Sequence, residues 1–467
     1  MKIKNSFLTS SIIYVFGSFL TSGLAFITTP IFTRLLTPED YGITSVFAAW
    51  LNIFVNFIGM QTLVSIAPRY VHRNKTKFNE YISSILFLST ISFIVVLTIS
   101  FIFKELLALL LNMTEFLVVV LVVQAFFSYV QQFYNTYLIQ TGQATQSLII
   151  SLSYSVVTIV LSLFLIYNMN TDRYYGKILG NAIITCLLGI ILFIIIMLKG
   201  KKYISKENWS YCLPLALPSV INSLSCLILN QSDRIMSQKI LGDYEAGIYS
   251  FAYNIALVLL TLWNATNNAW VPWYFENTKK GNSIDINKFS KKYINIISVL
   301  CCLIMLLIPE AMKVLGPESY WSAGRLTAII IIGIYFYYLS MFATNYELYK
   351  QNTRWIAIGT VAASIINIGL NLFLMPLIGN IGAAIATLIS YFCLFIFHNI
   401  LVKKFEGFNI ERKNYFFGIL IVVVCFVIFN ITYNHVLIRG GIALILLCAI
   451  FFKNKTILLE KLKKLCK

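Results

Sequence analysis

The chain of 467 residues has a composition that excludes a water-soluble protein. Apolar residues make up 59% of the sequence and charged residues only 12%, whereas a soluble protein carries roughly 25% charged residues. The mean hydropathy is +0.80, and the charge is uneven, with 36 Lys and Arg against 18 Asp and Glu. We therefore expect an all-α integral membrane protein.

Runs without charged residues predict fourteen transmembrane helices, because a helix crosses the hydrocarbon core in about 20 residues. Two runs are long enough for two spans each: 116–171, divided by the polar segment 140–146, and 355–402, divided by Pro376 and Gly379. The first run resembles a signal peptide but reaches Ile31 without a small-residue cleavage site, so we predict a membrane helix there. The ten single spans are 6–32, 42–67, 81–103, 178–198, 211–232, 246–272, 293–309, 326–346, 415–433 and 436–452.

The distribution of Lys and Arg supports this count and predicts the orientation. With both termini in the cytoplasm, 27 of the 36 basic residues fall in cytoplasmic segments and nine in external ones, as the positive-inside rule requires. The basic clusters then face anionic lipid headgroups, so the sequence does not indicate nucleic-acid binding. The nine cysteines and three histidines show no metal-binding or redox spacing, and no metal or cofactor is predicted.

The sequence contains an internal repeat. At an offset of 205 residues, Leu36, Gly42, Ile43 and Ser45 recur as Leu241, Gly247, Ile248 and Ser250. Residues 161–165 match residues 370–374 at an offset of 209. We therefore expect two parallel six-helix bundles, 1–205 and 206–402, followed by two extra transmembrane helices and a basic tail in 403–467. Parallel repeats of this kind are typical of alternating-access transporters, whose substrate sites lie between the halves.

Three motifs, together with this helix arrangement, resemble the Wzx-type polysaccharide flippases of the multidrug/oligosaccharidyl-lipid/polysaccharide exporter superfamily. The motifs are RLLTPEDYG at 34–42, LNQSDRI at 229–235 and GIYSFAY at 247–253. The resemblance implies translocation of an undecaprenyl-pyrophosphate-linked oligosaccharide from the cytoplasmic to the outer leaflet of the bacterial inner membrane, by alternating access, for O-antigen or capsule assembly. It also implies membrane lipid, a polysaccharide polymerase and a chain-length regulator as partners.

Polar residues within the predicted spans are the first candidates for contacting a glycan. A hydroxyl-rich headgroup is costly to bury without replacement hydrogen bonds, and amide side chains can supply them. Asn264, Asn267 and Asn268 are spaced so that a helix presents them on one face. The same residue types also serve as interhelical contacts and interfacial anchors. The remaining candidates are Asn52, Asn56, Gln61, Asn222, Asn230, Gln231 and Asn254, with Trp263, Trp270 and Trp273 for stacking on sugar rings.

Charged residues at predicted span ends are the second set of candidates. Asp233 and Arg234 are predicted to end the seventh span, where the flippase family carries an Asp-Arg pair. Arg234 would attract pyrophosphate, and Asp233 would bind a coupling ion or hold Arg234; an ion pair that only fixes the helix end explains the same pattern. Almost no charge lies within a span, so a strongly cationic cavity is not expected. The other charged candidates are Arg34, Arg69, Lys177, Arg325 and Glu347.

Two other functions remain open on the sequence alone. A cation-coupled exporter of drugs or small molecules from the same superfamily would need a carboxylate buried in the membrane, and the seventh span offers only Asp233 at its end. A membrane glycan polymerase or transferase would need a catalytic constellation on a substantial loop, whereas the longest loop, near 276–292, carries mainly lysines. We therefore expect a transporter rather than an enzyme.

Overall fold

The computed structural model describes residues 26–71, 75–404 and 410–447, together with Gly17, Leu20, Thr21, Gly23 and Leu24. This part of the chain is helical apart from short connections and contains no β-strand. Two 3-10 helices, Thr62–Ser65 and Glu318–Tyr320, occur among the α-helices. In chain order the α-helices are α1 (26–35), α2 (Pro38–Gly59), α3 (Ile66–Val71), α4 (Lys75–Ile102), α5 (Lys104–Leu111), α6 (Glu115–Gln140), α7 (Ala144–Tyr167), α8 (Tyr174–Gly200), α9 (Lys206–Leu241), α10 (Asp243–Lys279), α11 (Ser283–Leu306), α12 (Ile308–Leu315), α13 (Ala323–Tyr349), α14 (Thr353–Ile378), α15 (Asn380–Val402), α16 (Arg412–Ile431) and α17 (Val436–Leu447).

Within these described residues, twelve helices are long and apolar enough to cross a membrane: α2, α4, α6 to α11 and α13 to α16. Each coincides with one of the predicted spans, and the all-helical membrane fold is confirmed. The two other predicted spans, 6–32 and 436–452, are described only in part, by α1 and by α17. The total of fourteen spans therefore stays a prediction.

The order of helices from α4 to α8 recurs from α11 to α15. In both series a long helix is followed by a helix of eight residues and then by three long helices. The eight-residue helices, α5 and α12, start 204 positions apart. Charge-free runs of span length do not reveal these two helices, because they are too short to cross a membrane. Their recurrence agrees with the offset of the sequence repeat.

The described residues pack into two compact units, one ending at Ser250 and the other beginning at Phe251. This division lies inside α10, whereas the predicted bundle boundaries at 205 and 402 follow the sequence repeat. Those boundaries stay predictions.

In the first unit, α6 is the central helix. It packs against α2, α4 and α8, and the side chains of Val122, Ala125 and Phe133 have no exposed surface. Thr114 caps its start, because the Thr114 hydroxyl accepts a hydrogen bond from the Leu117 N–H, an otherwise unpaired first-turn donor. α9 lies against α2 and against the 3-10 helix Thr62–Ser65. These contacts position the polar residues described below.

In the second unit, α13 is the central helix. It packs mainly against α15, which also contacts α14, while α16 lies along α11. A buried hydrogen bond of 2.7 Å joins the hydroxyls of Ser298 on α11 and Tyr335 on α13. Tyr338, one turn further along α13, is also buried. Polar pairs of this kind hold apolar helices in one register.

α9 is longer than predicted, which changes the setting of two candidate residues. The predicted span 211–232 places Asp233 and Arg234 at the helix end, but the helix continues to Leu241. The two charged side chains are buried, 1% and 8% exposed, inside a continuing helix, so the predicted helix end is wrong, whereas the bounds of the membrane span stay a prediction. A charged pair therefore does not end this helix.

Candidate functional site

The helix of the predicted span 42–67 is interrupted after Gly59. Met60 and Gln61 have φ values of 47° and 52°, in the left-handed region, and the chain continues as the 3-10 helix Thr62–Ser65 and then α3. Left-handed backbone costs about 1–2 kcal/mol for a residue with a Cβ. Interrupted helices at membrane depth are tolerated only where protein or a water-filled cavity surrounds them, and many transporters bind substrate at such breaks. The sequence carries no Gly or Pro at these two positions and does not predict the break.

Three polar side chains meet at this break. The Gln61 amide nitrogen donates hydrogen bonds to Asn56 Oδ1 and to Ser223 Oγ, the latter over 2.9 Å. Ser223 Oγ in turn donates to Asn56 Oδ1 over 2.6 Å. All three side chains are half-buried. They tie the end of α2 to the middle of α9 with neutral donors and acceptors.

Further polar contacts continue from the break toward the start of α9. Ser65 Oγ lies 3.3 Å from the Cys212 sulfur. Arg69 on α3 then pairs with Glu207 over 3.3 Å, and its guanidinium lies 4.2 Å from the ring centre of Tyr211. We call this row the α2–α9 seam: Asn56, Gln61, Ser65 and Arg69 on one side and Ser223, Cys212, Tyr211 and Glu207 on the other.

The α2–α9 seam is long compared with a bilayer. Glu207 and Ser223 are sixteen residues apart on α9, which is about 24 Å of helix, against a hydrocarbon core of about 30 Å. Arg69, 13% exposed, is the cation at one end, and its partner Glu207 is 70% exposed. The seam therefore offers a charged entrance followed by neutral hydrogen-bonding groups.

Asp233 belongs to a second polar cluster, on the last two turns of α9. The Tyr249 hydroxyl donates a hydrogen bond of 2.7 Å to Asp233 Oδ2, and both side chains are buried. Close by, the Gln238 amide donates to Asp243 over 2.7 Å. These bonds join α9 to the start of α10. The buried carboxylate is thus held by a phenol from the GIYSFAY motif.

The α2–α9 seam and the Asp233 cluster are separate sites. Glu207 and Asp233 are 26 residues apart on α9, which is about 39 Å. The structure therefore does not bring Arg69 together with Asp233 and Arg234. Next to Asp233, Asn230 donates its amide to the Cys226 carbonyl over 2.7 Å, an ordinary helix-surface bond, and Gln231 is half-buried.

Two other cations of the first unit contact nearby protein groups. Arg34 is exposed and donates to the Pro30 carbonyl over 3.2 Å. The Lys177 ammonium lies 4.6 Å from the Tyr41 ring centre and 3.4 Å from the Thr44 hydroxyl. A half-buried ammonium over an aromatic ring is a cation–π contact. Lys177 thus joins α8 to α2, whereas the Arg34 bond lies within α1.

The predicted residues of the second unit are spread along it. Asn254 is half-buried, and Asn264 and Asn268 are exposed on one face of α10. Trp263 and Trp270 are buried, 5% and 8% exposed; Trp263 meets Tyr338 edge to face and Trp270 stacks on Tyr274, so neither is available for sugar rings. Two charged candidates also lie in this unit. Arg325 is exposed, with its guanidinium 5.1 Å from the Tyr433 ring centre, and Glu347 is fully buried against His398.

Sequence reasoning missed several residues of these clusters. Ser223 and Tyr211 carry no distinctive signal in a helix of mixed composition. Tyr249 lies within the GIYSFAY motif, and His398 lies in the charge-free run 355–402, where an ionisable residue could have been identified as unusual. Among the described residues, no group of three or more His, Cys, Asp or Glu side chains is arranged to hold a metal ion.

Comparison with known proteins places the chain in a family. The profile of the polysaccharide biosynthesis protein family matches residues 7–278. The chain is 24% identical, over 84% of its length and 98% of the relative, to the capsular polysaccharide biosynthesis protein CapF of Staphylococcus aureus. It is also 24% identical to the Lsg locus putative protein 1 of Haemophilus influenzae, over 82% of this chain and 96% of that one.

Two solved structures show the fold. The lipid II flippase MurJ in an inward closed conformation matches with a TM-score of 0.73 and 15% identity, over 96% of this chain and all of that chain. An inward-facing MATE family multidrug resistance transporter of the MOP superfamily matches with a TM-score of 0.66 and 17% identity, over 83% and 96%. The fold is that of the MOP superfamily, and the chain belongs to the polysaccharide biosynthesis protein family.

Proposed function

We propose that this protein is a flippase that carries an undecaprenyl-pyrophosphate-linked oligosaccharide from the cytoplasmic to the outer leaflet of a bacterial inner membrane, by alternating access. The observation that carries the proposal is the α2–α9 seam, a row of neutral and cationic hydrogen-bonding groups along a broken membrane helix. Membership of the polysaccharide biosynthesis protein family and the MOP fold support it. The glycan assembled from the translocated units would be O-antigen or capsule.

The chemistry of the seam fits a glycan headgroup. Sugar hydroxyls lose hydrogen bonds to water when they enter the membrane, which is costly unless other partners replace them. Asn56, Gln61 and Ser223 now bond to one another, and a sugar can exchange these bonds for its own at little net cost. The polyprenyl tail needs no such partner and stays in lipid. The seam thus offers hydrogen-bonding partners to the glycan headgroup, the part of the substrate that is costly to place in the bilayer.

The cations have a different role in this proposal. Arg69 supplies a guanidinium whose planar donors match phosphate oxygens, and it lies at the end of the seam that the positive-inside rule places in the cytoplasm. Arg234 and Asp233, about 39 Å away along α9, would act at the outer end. We assign the pyrophosphate entrance to Arg69 and a gating or release role to the Asp233 cluster.

One observation favours a second candidate function, a cation-coupled exporter of small molecules. Such an exporter needs a carboxylate inside the membrane, and Asp233 is 1% exposed within α9. The burial of this carboxylate supports the alternative, and its depth in the membrane stays a prediction. Both candidate functions predict a multi-pass membrane protein with cytoplasmic termini. A polysaccharide polymerase and a chain-length regulator are expected as partners only for the flippase.

Lipid extraction from a strain that lacks this protein but keeps its glycan pathway tests the proposal. We expect lipid-linked repeat units to accumulate on the cytoplasmic face and wild-type protein to relieve this. Arg69→Gln, Gln61→Leu and the double variant Asp233→Asn/Arg234→Gln should fail to relieve it at equal protein level. Lys313→Gln, an exposed cation of α12, is the matched control and should relieve it fully.

Three outcomes separate the candidates. Units that reach the outer leaflet unpolymerised in the deletion strain would overturn the flippase and point to a downstream enzyme. Absence of accumulation together with raised sensitivity to drugs would favour the exporter. Accumulation that every seam variant relieves would keep the flippase but remove the seam as its pathway.

A further inference from the structure

Two titratable side chains are buried together in the second unit and have no part in the proposed substrate pathway. Glu347 on α13 and His398 on α15 are 0% and 1% exposed. The His398 Nδ1 lies 2.9 Å from Glu347 Oε1. Both residues lie within the last turns of their helices, two and four positions before the ends at Tyr349 and Val402. The pair therefore lies one turn inside the bundle.

The two oxygens of this carboxyl group differ in their surroundings. Glu347 Oε2 is buried and has no hydrogen-bond partner among the described residues. An ionised carboxylate has several lone pairs to satisfy, and burying one of its oxygens without a donor costs free energy. A proton on the pair removes that cost by neutralising the carboxylate.

The charged residues near this end of the second unit are mainly basic. At this end of the second unit, the charged side chains on α13, α14 and α15 are Lys350, Arg354, Lys403 and Lys404. The end of α10, which contacts α13 through Phe275 and Tyr349, adds Glu276, Lys279 and Lys280. The helices α11 and α16 add Asp285, Lys288, Lys291, Lys292, Arg412 and Lys413, with Glu411 directly before α16. This mainly basic surrounding opposes a net positive charge on the pair.

Access to the imidazole depends on α14. A Cβ at Gly359 would lie 2.8 Å from His398 Nε2 and 3.0 Å from the Cε1 atom, so only glycine lets the α14 backbone pass this close to the ring. The backbone of α14 thus covers the imidazole edge that faces away from Glu347. A change in the spacing of α14 and α15 would expose this edge to water.

We propose that Glu347 and His398 form a proton-binding site through which a proton gradient drives the transport cycle, loading in one conformation and releasing in the other. The coupling part of this proposal rests on the proposed flippase function. Proton binding itself does not, and the two can be tested apart. A proton gradient would supply the energy for transport, since the sequence contains no nucleotide-binding motif.

Infrared difference spectroscopy of the purified protein tests proton binding. Difference spectra between acidic and alkaline pH contain the carboxylic-acid bands of all protonated Asp and Glu residues, 18 in the sequence. We expect one component of these bands in wild-type protein to be missing in Glu347→Gln and shifted in His398→Gln. Ser298→Ala, which removes a buried hydrogen bond of α13 without a carboxyl group, is the matched control and should keep the band. A spectrum of Glu347→Gln identical to that of wild type overturns the site.

A flipping assay tests coupling. The probe is the lipid-linked repeat unit extracted from the deletion strain, reconstituted with the protein in vesicles that carry an imposed pH gradient. We expect the gradient to speed flipping by wild type and Ser298→Ala several-fold, and Glu347→Gln/His398→Gln to flip at the rate seen without a gradient. Equal acceleration of the double variant, or a wild type insensitive to the gradient, overturns the coupling. A wild type that does not flip the probe but shows the infrared band rejects the flippase proposal and keeps the proton site.

Discussion

Gly42 and Gly247, which occupy the same position in the two copies of the sequence repeat, lie in direct backbone contact. A Cβ on Gly42 would overlap the Asp243 carbonyl oxygen and lie 2.9 Å from the Gly247 nitrogen. A Cβ on Gly247 would in turn overlap the Pro38 carbonyl oxygen. The first turns of α2 and α10 thus pack against each other through the two positions at which both copies carry glycine.

Gly42→Ala is expected to force α2 and α10 apart. Overpacking of a close contact costs about 1–3 kcal/mol, because the overlapping atoms are backbone and cannot move away as a side chain would. Thermal unfolding of the purified variant in detergent measures the loss, and Gly247→Ala should show a similar one.

Gly369→Ala is the matched control for this contact. Gly369 also lies within a helix, α14, but a Cβ there meets no atom within 4 Å. Because alanine favours helix over glycine by about 0.5–1 kcal/mol, this variant should unfold at the same temperature as wild type or slightly above it. A Gly42→Ala protein as stable as the control would show that α2 and α10 are not packed this closely.

The spans could be predicted from the sequence because the physical cause is local. A helix in lipid must be apolar along about 20 residues, and charge-free runs show this directly, as for 326–346 and α13. The repeat could be predicted because identical residues such as Gly42 and Gly247 are visible at a constant offset. The sequence could not predict that these two glycines touch, since contact between distant segments is not encoded at either position alone.

The candidate site was less predictable for three physical reasons. The break at Met60 and Gln61 depends on left-handed backbone that the surrounding packing imposes, and neither residue type signals it. A rule based on charge alone predicts a helix end at Asp233. The helix continues there, and the Tyr249 hydroxyl stabilises the buried carboxylate inside α9. His398 counts as uncharged in a charge-free run, so its pairing with Glu347 appears only when α13 and α15 are packed together.

Tyr249→Phe is expected to destabilise the protein by removing the phenol that donates to Asp233. A hydrogen bond to a charged group contributes about 1.5–3 kcal/mol, and the buried carboxylate cannot turn to bulk water instead. Tyr338→Phe is the control, since the Tyr338 hydroxyl is buried without a hydrogen-bond partner in the described part of the chain. Unfolding temperatures that fall equally for both variants would contradict the role given to the Tyr249–Asp233 bond.

The break in α2 predicts opposite effects of two substitutions at Met60. Glycine adopts a φ of 47° without strain, so Met60→Gly should leave the unfolding temperature unchanged or raised. Valine is β-branched and is strongly disfavoured there, so Met60→Val should cost about 1–2 kcal/mol. Val55→Gly, inside α2 and buried, is the control and should lower the unfolding temperature, because glycine is destabilising in a helix interior. Equal tolerance of valine at Met60 would mean that the helix runs on through this position.

Arg439 is expected to fasten α17 to the rest of the second unit. Its side chain is 1% exposed, donates to the carbonyl oxygens of Thr432 and Tyr433, and pairs with Glu310 on α12. Arg439→Met leaves two carbonyls and a partly exposed carboxylate without their donor, which should cost about 1–3 kcal/mol, because Arg439 is buried but Glu310 is 38% exposed. The double variant Glu310→Gln/Arg439→Met should recover part of this loss, because no uncompensated carboxylate remains.

Lys104→Met, which removes the exposed partner of Glu115, should leave the unfolding temperature unchanged. A loss in Arg439→Met no larger than in Lys104→Met would show that α17 is held by apolar packing alone.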